Sequence, residues 1–441
     1  MRRLLALFLA LMLFLPAAHA DKQPIPEALR FTQQVQSREN VRTNLYIQRT
    51  YPVTANAQVN ADMRALIDEM TETARPFLPA GKITIDKSYL RVGANITRTG
   101  QSWMSFLTVA NVKHNYVQPY VAFDARAYDI ATGQRLTMGD LFAPDSQAWD
   151  ILAEAVRTQL TAYYPPLEPD AAALDALCTR EALESAAFTL TGGSLRLHYH
   201  TEEVYPGLQT LLHVRVLYSS LRPHMTAEAQ RQTDNSCYNL IALTFDDGPS
   251  HVASTNVVDV LRKYGAEGTF FLVGNMMAKN HYVLNYEHDA GHVLAYHSYD
   301  HYTAGNLQEK VWPEWEKFCA EISAITGTIP TMVRAPGGYE EPFILADIGL
   351  PLIHWSCAAG DGTKNRSYDA ADQQTIARNV GLGAQDGAVV LMHDLRRQCH
   401  QYLDQTLQYL EKRGFLCLTV EELFDAQGVT LMPNEVYFGN K

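Results

Sequence analysis

The chain has 441 residues, 47% of them hydrophobic, with 36 basic and 48 acidic side chains. That length and composition exclude a disordered or fibrous protein and leave room for two or three domains, each with its own core. A net charge of −12 argues against long-range attraction to nucleic acid or an anionic membrane surface.

Residues 1–20 read as a secretory signal. Arg2 and Arg3 precede an apolar run over residues 4–15, Pro16 follows, and Ala18-His19-Ala20 offers small residues for cleavage. The run is short of the ~20 residues that span a bilayer, and no later stretch is long and apolar enough. A secreted or extracytoplasmic, cell-envelope location is therefore expected, with no transmembrane segment once the signal is removed. Losing Arg2 and Arg3 takes the net charge from −12 to −14.

All six cysteines (Cys178, Cys237, Cys319, Cys357, Cys399 and Cys417) follow the signal, widely spaced and without a Cys-x-x-Cys pair. Export makes one to three disulfides an expectation. The alternative is that several are small buried apolar residues.

Residues 21–235 predict an α+β domain. Val59, Met63, Leu66, Ile67 and Met70 recur at helical spacing. Leu195, Leu197 and Tyr199 alternate with Arg196, His198 and His200, and Val214, Val216 and Tyr218 alternate in the same way, as half-buried strands do. Residues 128–142, ending in Gly139-Asp140-Leu141-Phe142, together with Tyr51-Pro52 ahead of the helix, resemble an uncharacterised extracytoplasmic domain. No carboxylate, His or Cys cluster in this half suggests catalysis, so an accessory role is expected. The polar stretch 226–236 reads as a connection.

From there the pattern changes to strands alternating with helices. Strands are predicted at residues 240–245, 269–273, 292–296, 332–333, 352–355, 388–392 and 415–420. Gly265, Gly327, Gly349 and Gly414 stand where helix ends favour a left-handed residue. Alternation of this kind predicts a parallel sheet, open or closed into a barrel, with chemistry at the C-terminal strand ends. Residues 428–441 remain as a C-terminal tail.

Chemistry-bearing residues fall at those strand ends. Thr244-Phe245-Asp246-Asp247-Gly248-Pro249 delivers two adjacent carboxylates into a turn, and His297-Ser298-Tyr299-Asp300-His301 spaces two imidazoles as a helical turn would to grip a metal. Arg334-Ala335-Pro336-Gly337-Gly338-Tyr339 offers a guanidinium to brace a carboxylate and glycines that let backbone N–H groups approach a ligand. Asp361 follows one strand and His393 ends another. Singly, each motif has an ordinary structural reading, as a surface turn, a chance histidine pair or a loop arginine.

The ordered set over roughly residues 237–424 closely resembles the polysaccharide deacetylase family. Its members include chitin, peptidoglycan and some acetylxylan deacetylases. The resemblance extends to residues 265–274 and to the closing Leu418-Thr419-Val420-Glu421-Glu422-Leu423. It implies a distorted (β/α) barrel, here over residues 236–427, preceded by the smaller α+β domain, which is found ahead of deacetylase domains in some bacterial cell-wall enzymes. It also implies Asp246 as general base, and Asp247, His297 and His301 as ligands of a divalent metal, zinc first. Arg334 then holds Asp246 ionised, His393 is the general acid tuned by Asp361, and the N–H of Gly337 meets the oxyanion.

Three departures from the family pattern stand out. Ala295-Tyr296 replaces a small residue and Asn before the first metal histidine, Gly337 replaces a common aromatic, and Gly362 replaces a tryptophan. Trp312, Trp315 or Tyr339 are candidate replacement sugar-stacking faces. The expected substrate is a polysaccharide, peptidoglycan first, losing N-acetyl groups. The alternatives are chitin-like, exopolysaccharide or O-acetylated xylan substrates, or a domain that binds glycan without turnover.

Overall fold

The computed structural model describes residues 22–41, 43–79, 88–114, 117–161, 168–301, 311–338, 348–362 and 367–439. The expected signal at residues 1–20 and the candidate stacking residue Tyr339 lie outside them.

β1 (Thr32–Asn40), β2 (Leu45–Val53), β3 (Ser88–Thr99), β4 (Trp103–His114), β5 (Val117–Asp129) and β6 (Gln134–Arg135) lie in that order in one sheet. Every pairing is antiparallel except that of β2 with β3. A parallel pair needs a crossover, and α1 (Ala57–Ala74) occupies that connection. Asn56 caps α1 by accepting hydrogen bonds from the N–H groups of Gln58 and Val59. Val59, Met63, Leu66, Ile67 and Met70 are buried, the stripe that the periodicity predicts. Each such side chain contributes about 1.5–3 kcal/mol on leaving water.

A second antiparallel sheet holds β7 (Phe188–Leu190), β8 (Ser194–His200) and β9 (Leu211–Leu217). Burial alternates along β9 as expected but not along β8, where Arg196 and His198 are buried beside Leu195, Leu197 and Tyr199. The polar face of β8 is covered rather than solvated. Arg196 pairs there with Glu267 and Glu422 of the second half, and His198 lies 2.8 Å from both Thr189 and His213. The stretch 226–236 is likewise built in. Thr226 caps a short helix, Ala227–Gln232, and Asn235 accepts from the Gly100 N–H and donates to Thr99.

In the second half, β10 (Asn239–Asp246) pairs in parallel with β11 (Gly268–Leu272), and β11 with β12 (Val293–Tyr296). Single parallel bridges continue from Tyr296 to Val333 and from Val333 to Leu352 of β13 (Leu352–Ile353). Directly after it, β14 (Cys357–Ala358) pairs with β15 (Ala388–His393), and β15 pairs with β10. The parallel pairings therefore run in two arms from β10, and among the described residues no pairing joins β13 to β14. Helices alternate with the strands: α2 (Ser254–Tyr264), α3 (His281–Asp289), α4 (Val311–Thr326), α5 (Ala370–Gly383) and α6 (Cys399–Lys412). Gly265 closes α2 at φ 61°, a backbone angle that favours glycine.

Two sequence expectations are corrected at the end of the chain. β16 (Phe415–Leu418), which pairs with β10, stops short of Val420, because Thr419 and Glu422 form a capping box that starts α7 (Val420–Ala426). The expected tail contributes β17 (Val436–Tyr437), paired with β13, and Phe438 stacks on His354 at 4.8 Å. No disulfide forms; all six thiols are free, with Cys319 and Cys399 buried.

One apolar cluster spans the two halves, beside a core that each keeps to itself. Ile25, Leu29 and residues of α1 and β3 to β5 join a cluster with Tyr238, Leu240, Phe271, Val293 and Leu416. Polar contacts cross the same boundary, where Asn111 and Gln118 donate to Asp289 and Arg98 donates to the Tyr264 carbonyl.

Candidate active site

β10 ends on Asp246 and β15 on His393, and the parallel register sets these residues side by side. The turn after β10 opens with Asp247 at φ 76°, and the loop after β12 holds Ser298 at φ 65° and His301 at φ 57°. Non-glycine residues in such backbone cost about 1–3 kcal/mol each and cluster at functional sites. Because Ser298 and His301 are left-handed, residues 297–301 form a bend and not the helical turn that the spacing suggests. The imidazoles still meet, with ring centroids 5.3 Å apart.

Ligand atoms of Asp247, His297 and His301 all lie within 4.8 Å of one another. Asp247 Oδ1 is 3.0 Å from His301 Nε2 and 3.5 Å from His297 Nε2, and His297 Nε2 is 3.7 Å from Asp246 Oδ2. Burial raises the pKa of Asp247, but the two imidazoles outweigh it and hold the carboxyl well below the usual range. Asp247 in turn raises that of His301.

Two features of the triad fit a divalent metal. The ring atom Nδ1 of His297 is 2.8 Å from the Arg334 carbonyl, and a carbonyl only accepts, so the ring proton sits on Nδ1. In that tautomer the Nε2 lone pair would face Asp246 and Asp247, where a cation between them meets all three. Asp247 Oδ1, meanwhile, is buried without a well-aligned hydrogen bond. One carboxylate and two imidazoles also leave coordination positions open to water and substrate.

Beside the triad, Arg334 is fully buried and donates to Asp246 Oδ1 and Thr244 Oγ1, both at 2.7 Å, and to the carbonyls of Ile353 and His354. Its guanidinium lies over Phe271, 4.1 Å from the ring centroid. This clamp fixes one oxygen of Asp246 and leaves the other toward His297.

His393 Nδ1 is 2.8 Å from Asp361 Oδ1, and its backbone N–H donates to Asp361 Oδ2 at 2.9 Å. Burial lowers the pKa of His393, but Asp361, with Asp246 and Asp247 behind it, raises it to about 9. The proposed acid is therefore protonated at neutral pH. Gly362 touches the same ring: a Cβ there would stand 2.7 Å from His393 Cε1. No side chain fits at that position while the imidazole stays where it is. Gly337 is exposed at φ 72°.

Of the candidate stacking residues, Trp315 is buried edge-on against Tyr296, whereas Trp312 is 49% exposed. The structure thus brings together Asp246, Asp247, His297, His301, Arg334, Asp361 and His393. Sequence reasoning missed Tyr402, which donates to Asp361 Oδ2 at 2.7 Å, and gave no role to Thr244 although it lies in a quoted motif. It also passed over Glu287 and Asp394. Both are fully buried, and both oxygens of Glu287 and Oδ1 of Asp394 lack hydrogen bonds. Glu287 lies in the middle of a helical pattern that gives no hint of the neighbour it meets.

Residues 233–348 match the sequence model of the family described as polysaccharide deacetylase. A peptidoglycan-N-acetylglucosamine deacetylase of Bacillus cereus is 30% identical over 198 residues, covering 42% of this chain and 87% of that protein. The Listeria monocytogenes peptidoglycan-N-acetylglucosamine deacetylase PgdA is 36% identical over 200 residues, or 45% of this chain; the match spans only 41% of the relative's length. Among solved structures, the peptidoglycan deacetylase PdaC of Bacillus subtilis is 27% identical and covers 43% of this chain and 92% of that one, with a TM-score of 0.40.

Proposed function

The chain belongs to the polysaccharide deacetylase family, and from that membership we propose that it is a metal-dependent hydrolase removing N-acetyl groups from a cell-wall polysaccharide, peptidoglycan amino sugars first. The observation that carries this reading is the register of β10 on β15, which sets a clamped carboxylate, Asp246, beside a protonated imidazole, His393, next to the Asp247-His297-His301 triad.

A divalent cation, zinc in the first instance, held by Asp247, His297 and His301 would lower the pKa of water toward about 7 and polarise the acetyl oxygen. Asp246, held by Arg334, accepts the proton of the attacking water as the water oxygen bonds to the acetyl carbon. The backbone N–H of Gly337 would meet the developing oxyanion. As the carbon–nitrogen bond breaks, His393 gives its proton to the nitrogen, so acetate and a free amine leave. Asp361 keeps the imidazole oriented through both steps.

The named relatives act on peptidoglycan, and residues 1–20 have the layout of an export signal, so we place the protein in the cell envelope. Residues 21–235 serve as an accessory domain fastened to the catalytic one. Mass spectrometry of peptidoglycan fragments before and after treatment tests the reading, with chitin oligosaccharides and acetylated xylan in parallel. Loss of acetyl groups from the amino sugars, abolished by a chelator and restored by zinc, is expected. Deacetylation of xylan or chitin alone reassigns the polymer. Binding of any of them without acetate release overturns the enzymatic reading.

A further inference from the structure

The carboxylate that holds His393 is itself held in turn. Asp361 is 1% exposed, and its two oxygens receive three donors: His393 Nδ1–H on Oδ1, and the His393 backbone N–H and the Tyr402 hydroxyl on Oδ2. Tyr402 projects from the first turn of α6 and is fully buried, with its ring edge-on to Tyr368. Burial, with Cys399 and Asp361 beside it, pushes the phenol's pKa far up, so the hydroxyl keeps its proton and acts as a donor. The Tyr368 hydroxyl goes instead to the backbone carbonyl of Asp361. Gly362 leaves the space that the imidazole occupies.

Resting on the proposed function, we propose that Tyr402 is a positioning residue for the proton-donating imidazole: by donating to Asp361 Oδ2 it fixes the carboxylate plane and draws charge from Oδ1. A carboxylate that loses a buried donor becomes the stronger acceptor and holds the imidazolium more tightly. The charged and titratable groups around His393 are Asp361 after β14, Asp246 and Asp247 at the end of β10, Tyr402 and Cys399 on α6, and its neighbour Asp394. Of these, Tyr402 is the hydroxyl that donates to the Asp361 carboxylate.

The test replaces one oxygen atom. In the full-length chain, Tyr402→Phe is expected to move the alkaline limb of kcat/KM upward by about half to one pH unit and to lower kcat several-fold, with KM unchanged. Tyr368→Phe, which removes a comparably buried hydroxyl from a backbone carbonyl, serves as the control and leaves the limb in place. The His393 ring resonance, identified by its absence in His393→Gln, is titrated in the metal-free protein and gives the same comparison without activity. An upward shift in Tyr402→Phe alone supports the assignment even if no acetate is ever released. Equal shifts in both variants, or no shift in either, overturn it.

Discussion

Two fully buried arginines carry the same chemistry and mean different things. Arg334 holds Asp246 at the C-terminal ends of the strands, while Arg196 holds Glu267 and Glu422 where the two halves meet. Around Arg196 the carboxylate oxygens are met: Glu422 also takes hydrogen bonds from Thr191, Ser194 and the Thr419 N–H, and Arg196 adds the Gly291 carbonyl, although Thr419 Oγ1 and His292 Nε2 nearby lack partners. Around Arg334 they are not. Asp247 Oδ1 lacks an aligned donor, and Asp247, Ser298 and His301 sit in left-handed backbone. Burial of an ion pair therefore does not mark function; strained backbone beside it does.

Matched substitutions separate the two sites. Arg334→Met is expected to lower kcat/KM by about 10²–10⁴-fold, because Asp246 loses the buried donor that fixes its carboxylate toward the attacking water. Arg196→Met is expected to cost about 3–5 kcal/mol of stability by leaving two buried carboxylates against no cation. The molecules that still fold should keep their turnover. Denaturant titration together with acetate release on both variants checks this. Equal loss of activity per folded molecule would erase the distinction.

The buried carboxyls Glu287 and Asp394 extend the comparison to groups that no arginine holds among the described residues. Burial, then repulsion from Asp394, pushes Glu287 well above its ordinary pKa, and burial lifts Asp394 to about 7. A folded-state pKa raised in this way gives stability that is full below the unfolded value near 4 and is lost as pH rises through the folded one. Glu287→Gln, neutral at every pH, should therefore gain on the wild type by up to about 1.4 kcal/mol per pH unit across this range. Thermal melts at pH 5 and pH 8 measure it, and a gap that narrows toward pH 8 contradicts the sign. The smallest effect is expected from Gly362→Ala, where crowding of His393 costs about 1–3 kcal/mol. It should reduce turnover more than substrate binding, as steady-state kinetics would show.

How legible each site was follows from distance along the chain. Asp246, Asp247, His297, His301, Arg334, Asp361 and His393 lie in short motifs at strand ends, and alternation of strand and helix is enough to place strand ends on one face. Arg196 was read as the solvated side of a half-buried strand, because its partners stand 71 and 226 residues away and nothing local announces them. The same holds for Tyr402, whose apolar neighbours on an amphipathic helix make it look like core. The histidine pair was right in membership and wrong in backbone, since spacing does not reveal that Ser298 and His301 turn left-handed.

Acetate released from purified peptidoglycan by zinc-loaded wild type, set against Asp246→Asn prepared in the same way, tests the hydrolytic centre most directly. The wild type is expected to release acetate in step with new free amines, and the variant, folded and metal-loaded, to lose about 10²–10⁴-fold of that rate. Equal acetate release by the two proteins would contradict the role of Asp246, and none from a folded, zinc-loaded wild type would contradict the centre itself.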